Sequence, residues 1–174
     1  SAASDVYKRQ AYTPQDRTAG SWTPCTTATA AKFTAAGYFF AEMLNDVLGV
    51  PVGIIDCSWG GSRVESWMSR EVLSGYSDID LTEEGISRVA QHLRPMVMYN
   101  AMLRPVAGYT VRGFLWYQGE SNVGRYMDYA ARLADMVSLW RGLWGRDDLP
   151  FYYVEIAPFE YGNGKSPYLR EAQC

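Results

Sequence analysis

Three short apolar runs constrain this chain more than anything else in it. "VPVGIIDCSW" (residues 50–59), "TVRGFLWYQ" (110–118) and "LPFYYVEIAP" (149–158) are rich in β-branched and aromatic residues, and glycine, proline or polar residues bound them. Such runs read as buried strands of a parallel sheet. The stretches between them read as helices. Phe33, Ala36, Phe40, Met43 and Val47 recur at alternating steps of three and four within residues 31–48, and Gly49 follows as a stop. Tyr126, Tyr129, Leu133, Met136, Trp140 and Leu143 step in the same way before Gly145. Shorter helices are predicted over 64–73, 86–93 and 96–105, the last two stopped by Pro95 and Pro105. Ser166 and Pro167 read as the N-cap and first position of a final helix. Strands that alternate with helices predict an α/β domain whose parallel sheet is covered on both faces.

The 174 residues suffice for one such domain. A net charge of −3 argues against nucleic acid as a main partner, because phosphate binding needs a basic face. No apolar stretch approaches the length of a membrane-spanning helix. Cys25, Cys57 and Cys174 lack a paired spacing, and one histidine, His92, cannot supply a metal cluster, so neither a disulfide framework nor a zinc site is indicated. Six Trp and thirteen Tyr are many for this length; most are expected in the core, and some are candidates for a sugar-binding surface.

The two ends read differently from the middle. "SAASDVYKRQ" (1–10) resembles a translated sequencing adapter and is set aside from fold reasoning, with 11–174 taken as the domain. "SPYLREAQC" stops within a starting helix. The chain therefore reads as an internal piece of a longer protein, in which case the missing signal peptide carries no information about its destination.

In open parallel sheets, ligands bind beyond the carboxyl ends of the strands. The runs end here in "DCSWGGS" (56–62), "QGESN" (118–122) and "APFEYGNG" (157–164). Gly60 and Gly61 permit close backbone approach, and free N–H groups in such a turn stabilise an oxyanion. The plainer reading is two ordinary strand-to-helix turns. Ser121 is a poor nucleophile: the run Gly119-Glu120-Ser121-Asn122-Val123-Gly124 places its last glycine one residue late for a nucleophile elbow. His92 belongs to a helical stretch away from the strand ends, and only Lys32 and Lys165 remain as lysines outside the set-aside segment. "YGNGKSP" fails as a phosphate loop because Phe159 stands where the first glycine is required. Glu120, Glu65 and Asp56 are the carboxylates near the expected cleft, and a lone Glu at a helix start is ordinarily a dipole partner.

"PVGIIDCSWGGSRVESWMS", "MYNAMLRPV", "GFLWYQGESN", "LPFYYVEIAPF" and "SPYLREAQ", in that order over 22–173, resemble the sialate O-acetylesterase family of SGNH-type (GDSL-like) hydrolases. The resemblance implies a three-layer α/β/α, flavodoxin-like fold, here incomplete at both ends. It also implies removal of O-acetyl groups from sugars by a serine nucleophile without a cofactor, in a secreted or periplasmic setting. Under that resemblance Gly61 corresponds to the oxyanion-hole glycine. Gln118 corresponds to a side-chain donor, with Asn122 as a second candidate. Glu120 corresponds to the acid that orients a catalytic histidine, a role that a later Asp-x-x-His segment fills in other relatives. Arg63, Trp67 and Tyr117 are candidates for the sugar site, core packing being the ordinary role of the two aromatics. The family's Gly-Gln-Ser-Asn-type nucleophile segment does not occur in this sequence, and His92 does not match the catalytic histidine. These 174 residues are therefore expected to be inert alone, serving a serine located elsewhere. The rival reading is a carbohydrate-binding domain that keeps the fold without turnover.

Overall fold

In the computed structural model the described residues are 2–6, 8–160 and 164–174, with residues 2–6 described as backbone only. The third strand end and the rejected phosphate loop thus lie partly outside the described residues.

Each apolar run yields a strand of four residues: β3 is Gly53–Asp56, β4 is Phe114–Tyr117 and β5 is Phe151–Val154. β4 and β5 pair in parallel, from Phe114 opposite Phe151 to Tyr117 opposite Val154. Parallel neighbours need a crossover, and helix α4, Tyr126–Trp144, supplies it. Its expected face is the face it buries, through Tyr129, Leu133, Met136 and Trp140, and Gly145 closes it at φ 64°. Trp140 stands edge-on to Trp116 at 5.5 Å and to Phe114 at 5.3 Å, an arrangement favoured by the ring quadrupoles. Its indole nitrogen donates to the Trp67 carbonyl at 3.0 Å, so burial leaves no orphan donor.

Helix α1, Ala35–Leu48, forms as expected, but it packs through a different face. Its buried residues are Gly37 and Ala41, while Met43 and Val47 of the expected face are 67% and 74% exposed. Size explains the shift. A Cβ on Gly37 would lie 3.1 Å from Ile54 Cγ2, so the helix approaches β3 along its smallest residues and turns larger ones outward.

The expected single parallel sheet gives way to two. β1, Ala2–Val6, lies between β2, Gly20–Pro24, and β3, antiparallel to the first and parallel to the second. The segment set aside on its sequence thus supplies the middle strand. The β4–β5 sheet is not covered on both faces either. Phe114 and Trp116 point into the core, whereas Leu115 and Tyr117 of β4 and Tyr152 and Val154 of β5 remain exposed.

Between β3 and β4 the predicted helices become short or irregular. Val64–Trp67 is one 3-10 turn, followed by α2 (Arg70–Leu73) and α3 (Glu83–Arg88), which Ser69 and Thr82 cap by accepting from Val72 and Gly85 N–H. Gln91–Leu93 is another 3-10 turn, and Tyr99–Leu103 is a π-helical turn buried on all sides. The final helix, α5, spans Ser166–Gln173, with Lys165 rather than Ser166 at the N-cap. Ser166 faces inward and its hydroxyl caps nothing.

Candidate active site

The turn after β3 is shaped by Gly61, whose φ of +77° favours glycine. A methyl group there would also come within 3.2 Å of the His92 ring. Among the described residues nothing accepts the Gly61 N–H, while its carbonyl accepts from Ser121 Oγ at 2.7 Å. Among the described residues the N–H of this exposed glycine is thus an unused donor in the turn after β3.

The turn after β4 is locked against it. Gln118 Nε2 donates to the Ser62 carbonyl at 2.9 Å and to Asn122 Oδ1 at 2.7 Å. The Val64 N–H donates to the same Asn122 oxygen at 3.1 Å, and Arg63 Nε donates to the Ser121 carbonyl at 3.1 Å. Tyr129 Oη donates toward Gln118, 3.2 Å from its carbonyl and 3.1 Å from Oε1. Behind the turn, Gln173 of α5 donates to the Gln118 carbonyl at 3.0 Å and accepts from the Ile156 N–H at 3.0 Å. Gly119 must be glycine for room: a Cβ would meet Ile156 Cγ2 at 2.8 Å and Leu169 Cδ2 at 2.9 Å.

A buried ionic group underlies both turns. Glu65 is 3% exposed; one carboxylate oxygen accepts from Asn122 Nδ2 at 2.9 Å and the other pairs with Arg132. Arg132, 1% exposed, extends a second arm to both Asp78 oxygens at 2.8 and 2.7 Å, and Arg125 also pairs with Asp78. The Tyr76 ring lies 4.9 Å from the Arg132 guanidinium carbon. Burial raises Tyr76 and Tyr129 to about 12, and for Tyr76 the Asp135 hydrogen bond adds to it.

The structure brings Gly61, Gln118, Asn122 and Arg63 together. It spends both amide hydrogens of Gln118 inside the protein and leaves Asn122 fully buried. Glu120 is exposed, with no ion-pair partner among the described residues, whereas Glu65 has both oxygens engaged. Trp67 is 2% exposed and donates to Ser62 Oγ at 3.0 Å, which puts it in the core rather than on a sugar-facing surface. Tyr117 stands on the open face of the sheet at 55% exposure. Ser121 is tied to Gly61, and the half-buried His92 covers that glycine. Burial, with the neighbouring Asp56 charge, pushes the Cys57 thiol far up. No group of three or more His, Cys, Asp or Glu side chains is placed to hold a metal among the described residues. Arg132 was missed by sequence reasoning, although a charged residue on the stripe that holds Tyr129, Leu133 and Met136 is itself a signal.

The profile of the family described as "Carbohydrate esterase, sialic acid-specific acetylesterase" matches residues 9–173. The chain belongs to this family. Among its relatives, the human sialate O-acetylesterase is 32% identical over 132 residues, which cover 71% of this chain and 25% of the relative. The mouse sialate O-acetylesterase is 27% identical over 164 residues, covering 75% and 30%. A crystal structure described as a novel carbohydrate acetylesterase from Xanthomonas citri superimposes with a TM-score of 0.87 at 35% identity, over 99% of this chain and 38% of that one. A protein from Arabidopsis thaliana shares the fold at a TM-score of 0.53 and 23% identity, over 80% of this chain and 50% of that one. The chain thus spans a quarter to a third of the curated esterases it matches.

Proposed function

We propose that this chain forms the oxyanion-stabilising part of a serine-dependent carbohydrate O-acetylesterase. One observation carries the reading: a glycine N–H with no acceptor among the described residues, in the turn after one strand, is held against an amide-rich turn after the next. Preorganised donors of this kind stabilise the charge that develops on a carbonyl oxygen under attack. In the proposed reaction a serine hydroxyl attacks the acetyl carbonyl while a histidine takes its proton. The Gly61 N–H then holds the oxyanion, and Gln118 donates after exchanging its Ser62 contact for the substrate oxygen. Collapse of the tetrahedral intermediate expels the sugar hydroxyl, the histidine returns the proton to it, and water hydrolyses the acetyl-serine.

Glu120, exposed and without an ion-pair partner among the described residues, is the carboxylate available to orient the histidine. Asn122 holds the turn from within. Arg63, whose Nε is on the Ser121 carbonyl, has the rest of its guanidinium for a sugar hydroxyl or carboxylate. The serine and histidine come from segments outside these 174 residues, so the chain alone is inert. The substrate is an O-acetylated sialic acid or polysaccharide-derived sugar.

The test is acetate release from O-acetylated sialic acid and O-acetylated xylan by the full-length gene product and by the 174-residue chain. Release by the first alone is the expected result. Efficient release by the short chain removes the external serine. Binding of acetylated sugar by the full-length product without release replaces the esterase with a carbohydrate-binding domain.

A further inference from the structure

We infer that Arg132 is a positioning residue that helps set the direction of the hydrogen bonds running from the core to the candidate oxyanion turn. The inference rests on the reading just given, that the turns after β3 and β4 serve ester hydrolysis.

A carboxylate can only accept, whereas an amide side chain both donates and accepts. Arg132 pairs with one oxygen of the Glu65 carboxylate, which is 3% exposed, and Arg125 lies 3.7 Å from the same oxygen. The other Glu65 oxygen then demands a donor, and Asn122 must present Nδ2 to it, which it does at 2.9 Å. With Nδ2 committed, Asn122 Oδ1 faces the other way, accepting from the Val64 N–H at 3.1 Å and from Gln118 Nε2 at 2.7 Å. Gln118 is thereby oriented too. Its nitrogen lies toward the Ser62 carbonyl at 2.9 Å and its oxygen toward Tyr129 Oη at 3.1 Å. Rotating Asn122 by half a turn would set donor against donor and acceptor against acceptor, and rotating Gln118 would set its oxygen against the Ser62 carbonyl and Asn122 Oδ1. The buried charge on α4 thus acts together with the Val64 N–H and the Ser62 carbonyl in setting which atom of Gln118 points toward the turn that carries Gly61. The same string fixes the backbone on both sides of that turn, at Ser62 and at Val64. Arg132 touches none of the candidate reacting groups, and it acts through Glu65 and Asn122.

The experiment uses the full-length gene product as wild type, Arg132→Met, Arg132→Lys and Glu65→Gln, with kcat normalised to the folded fraction. Glu65→Gln preserves shape and serves where Arg132→Met does not fold. Since it can offer Asn122 either a donor or an acceptor, it removes the carboxylate's constraint and leaves only the Val64 N–H and the Ser62 carbonyl to hold the direction of the string. Arg132→Met and Glu65→Gln are expected to lower kcat at least about 10-fold with KM within about 2-fold, the pattern of a group that matters only in the transition state. Arg132→Lys, which keeps the charge without the fork, is expected to recover part of the loss. In parallel, spectra of the same proteins with 15N-labelled Asn and Gln side chains report the amides directly. The Asn122 and Gln118 NH2 signals should be slow to exchange in the wild type and should lose that protection in Arg132→Met and Glu65→Gln. Folded variants with unchanged kcat and unchanged amide signals overturn the inference. If the wild type releases no acetate the functional reading falls, and the amide spectra still decide whether Arg132 orders the string.

Discussion

Helices α1 and α4 carry equally clear apolar periodicities, yet they end in opposite situations. α4 buries Tyr129, Arg132, Leu133, Met136 and Trp140 beneath the β4–β5 sheet. α1 buries Gly37 and Ala41, and leaves Phe39, Met43, Val47 and Leu48 more than half exposed. A repeating apolar stripe announces that a helix has a face for something. It does not say which face wins when the smallest residues allow a closer approach, nor that everything the face could cover lies nearby. The catalytic reading depends on the α4 side, where packing and hydrogen bonds converge on the same few residues.

The largest expected effect lies on that side. Trp140→Ala removes the ring between Phe114 and Trp116 and orphans the Trp67 carbonyl. It should cost about 3–5 kcal/mol in urea unfolding. A loss below about 1 kcal/mol would show that the α4 side is no better packed than the α1 side. Gly119→Ala follows, since its methyl meets Ile156 and Leu169 at under 3 Å and the neighbours must move. About 1–3 kcal/mol is expected. Met43→Ser and Val47→Ser should change stability by no more than about 0.5 kcal/mol while lowering light scattering. A cost of about 2 kcal/mol for either would mean that the outward face of α1 is buried in solution.

Alkaline unfolding sharpens the contrast by another route, with an effect between those of Gly119→Ala and the α1 changes. Burial raises Tyr129 from 10.0 to about 12, so its neutral form is the one the fold favours. Its folded value stands above the unfolded one. The contribution is therefore complete below pH 10.0 and is lost as pH climbs toward about 12. Tyr76 behaves in the same sense. Melting temperatures should fall across that window, and Tyr129→Phe should flatten the fall while lowering stability at neutral pH. An unchanged alkaline limb in Tyr129→Phe would remove the role of this hydroxyl.

Much of this was legible from residue order. The strands β3, β4 and β5 were readable because a short apolar run between glycines has few other uses, and α4 because its stripe matches the helical period through its whole length. β2 was not readable, since Gly20–Pro24 has neither alternation nor a β-branched run. Placing Ser166 at the cap failed because its hydroxyl turns toward the core, a choice made by tertiary packing. Gly61, Gln118 and Asn122 could be named together from the two turns. Which way their amides point could not, because direction depends on Glu65 and Arg132, distant in sequence and recognisable as partners only once folded.

That cross-tie also bears on how the chain folds. The contacts that lock the two turns join residues 56 to 60 positions apart, and the one beneath them spans 67. Closing such long loops costs entropy before any of these bonds forms, so contacts of this range are slow to assemble. The helices and the β4–α4–β5 crossover can organise locally, while the site waits for two distant turns to meet. In refolding followed by pulse-labelled hydrogen exchange, the amide of Val64, which donates to Asn122 across 58 positions, should therefore gain protection after those of α4, making the candidate site the last part of the molecule to become itself.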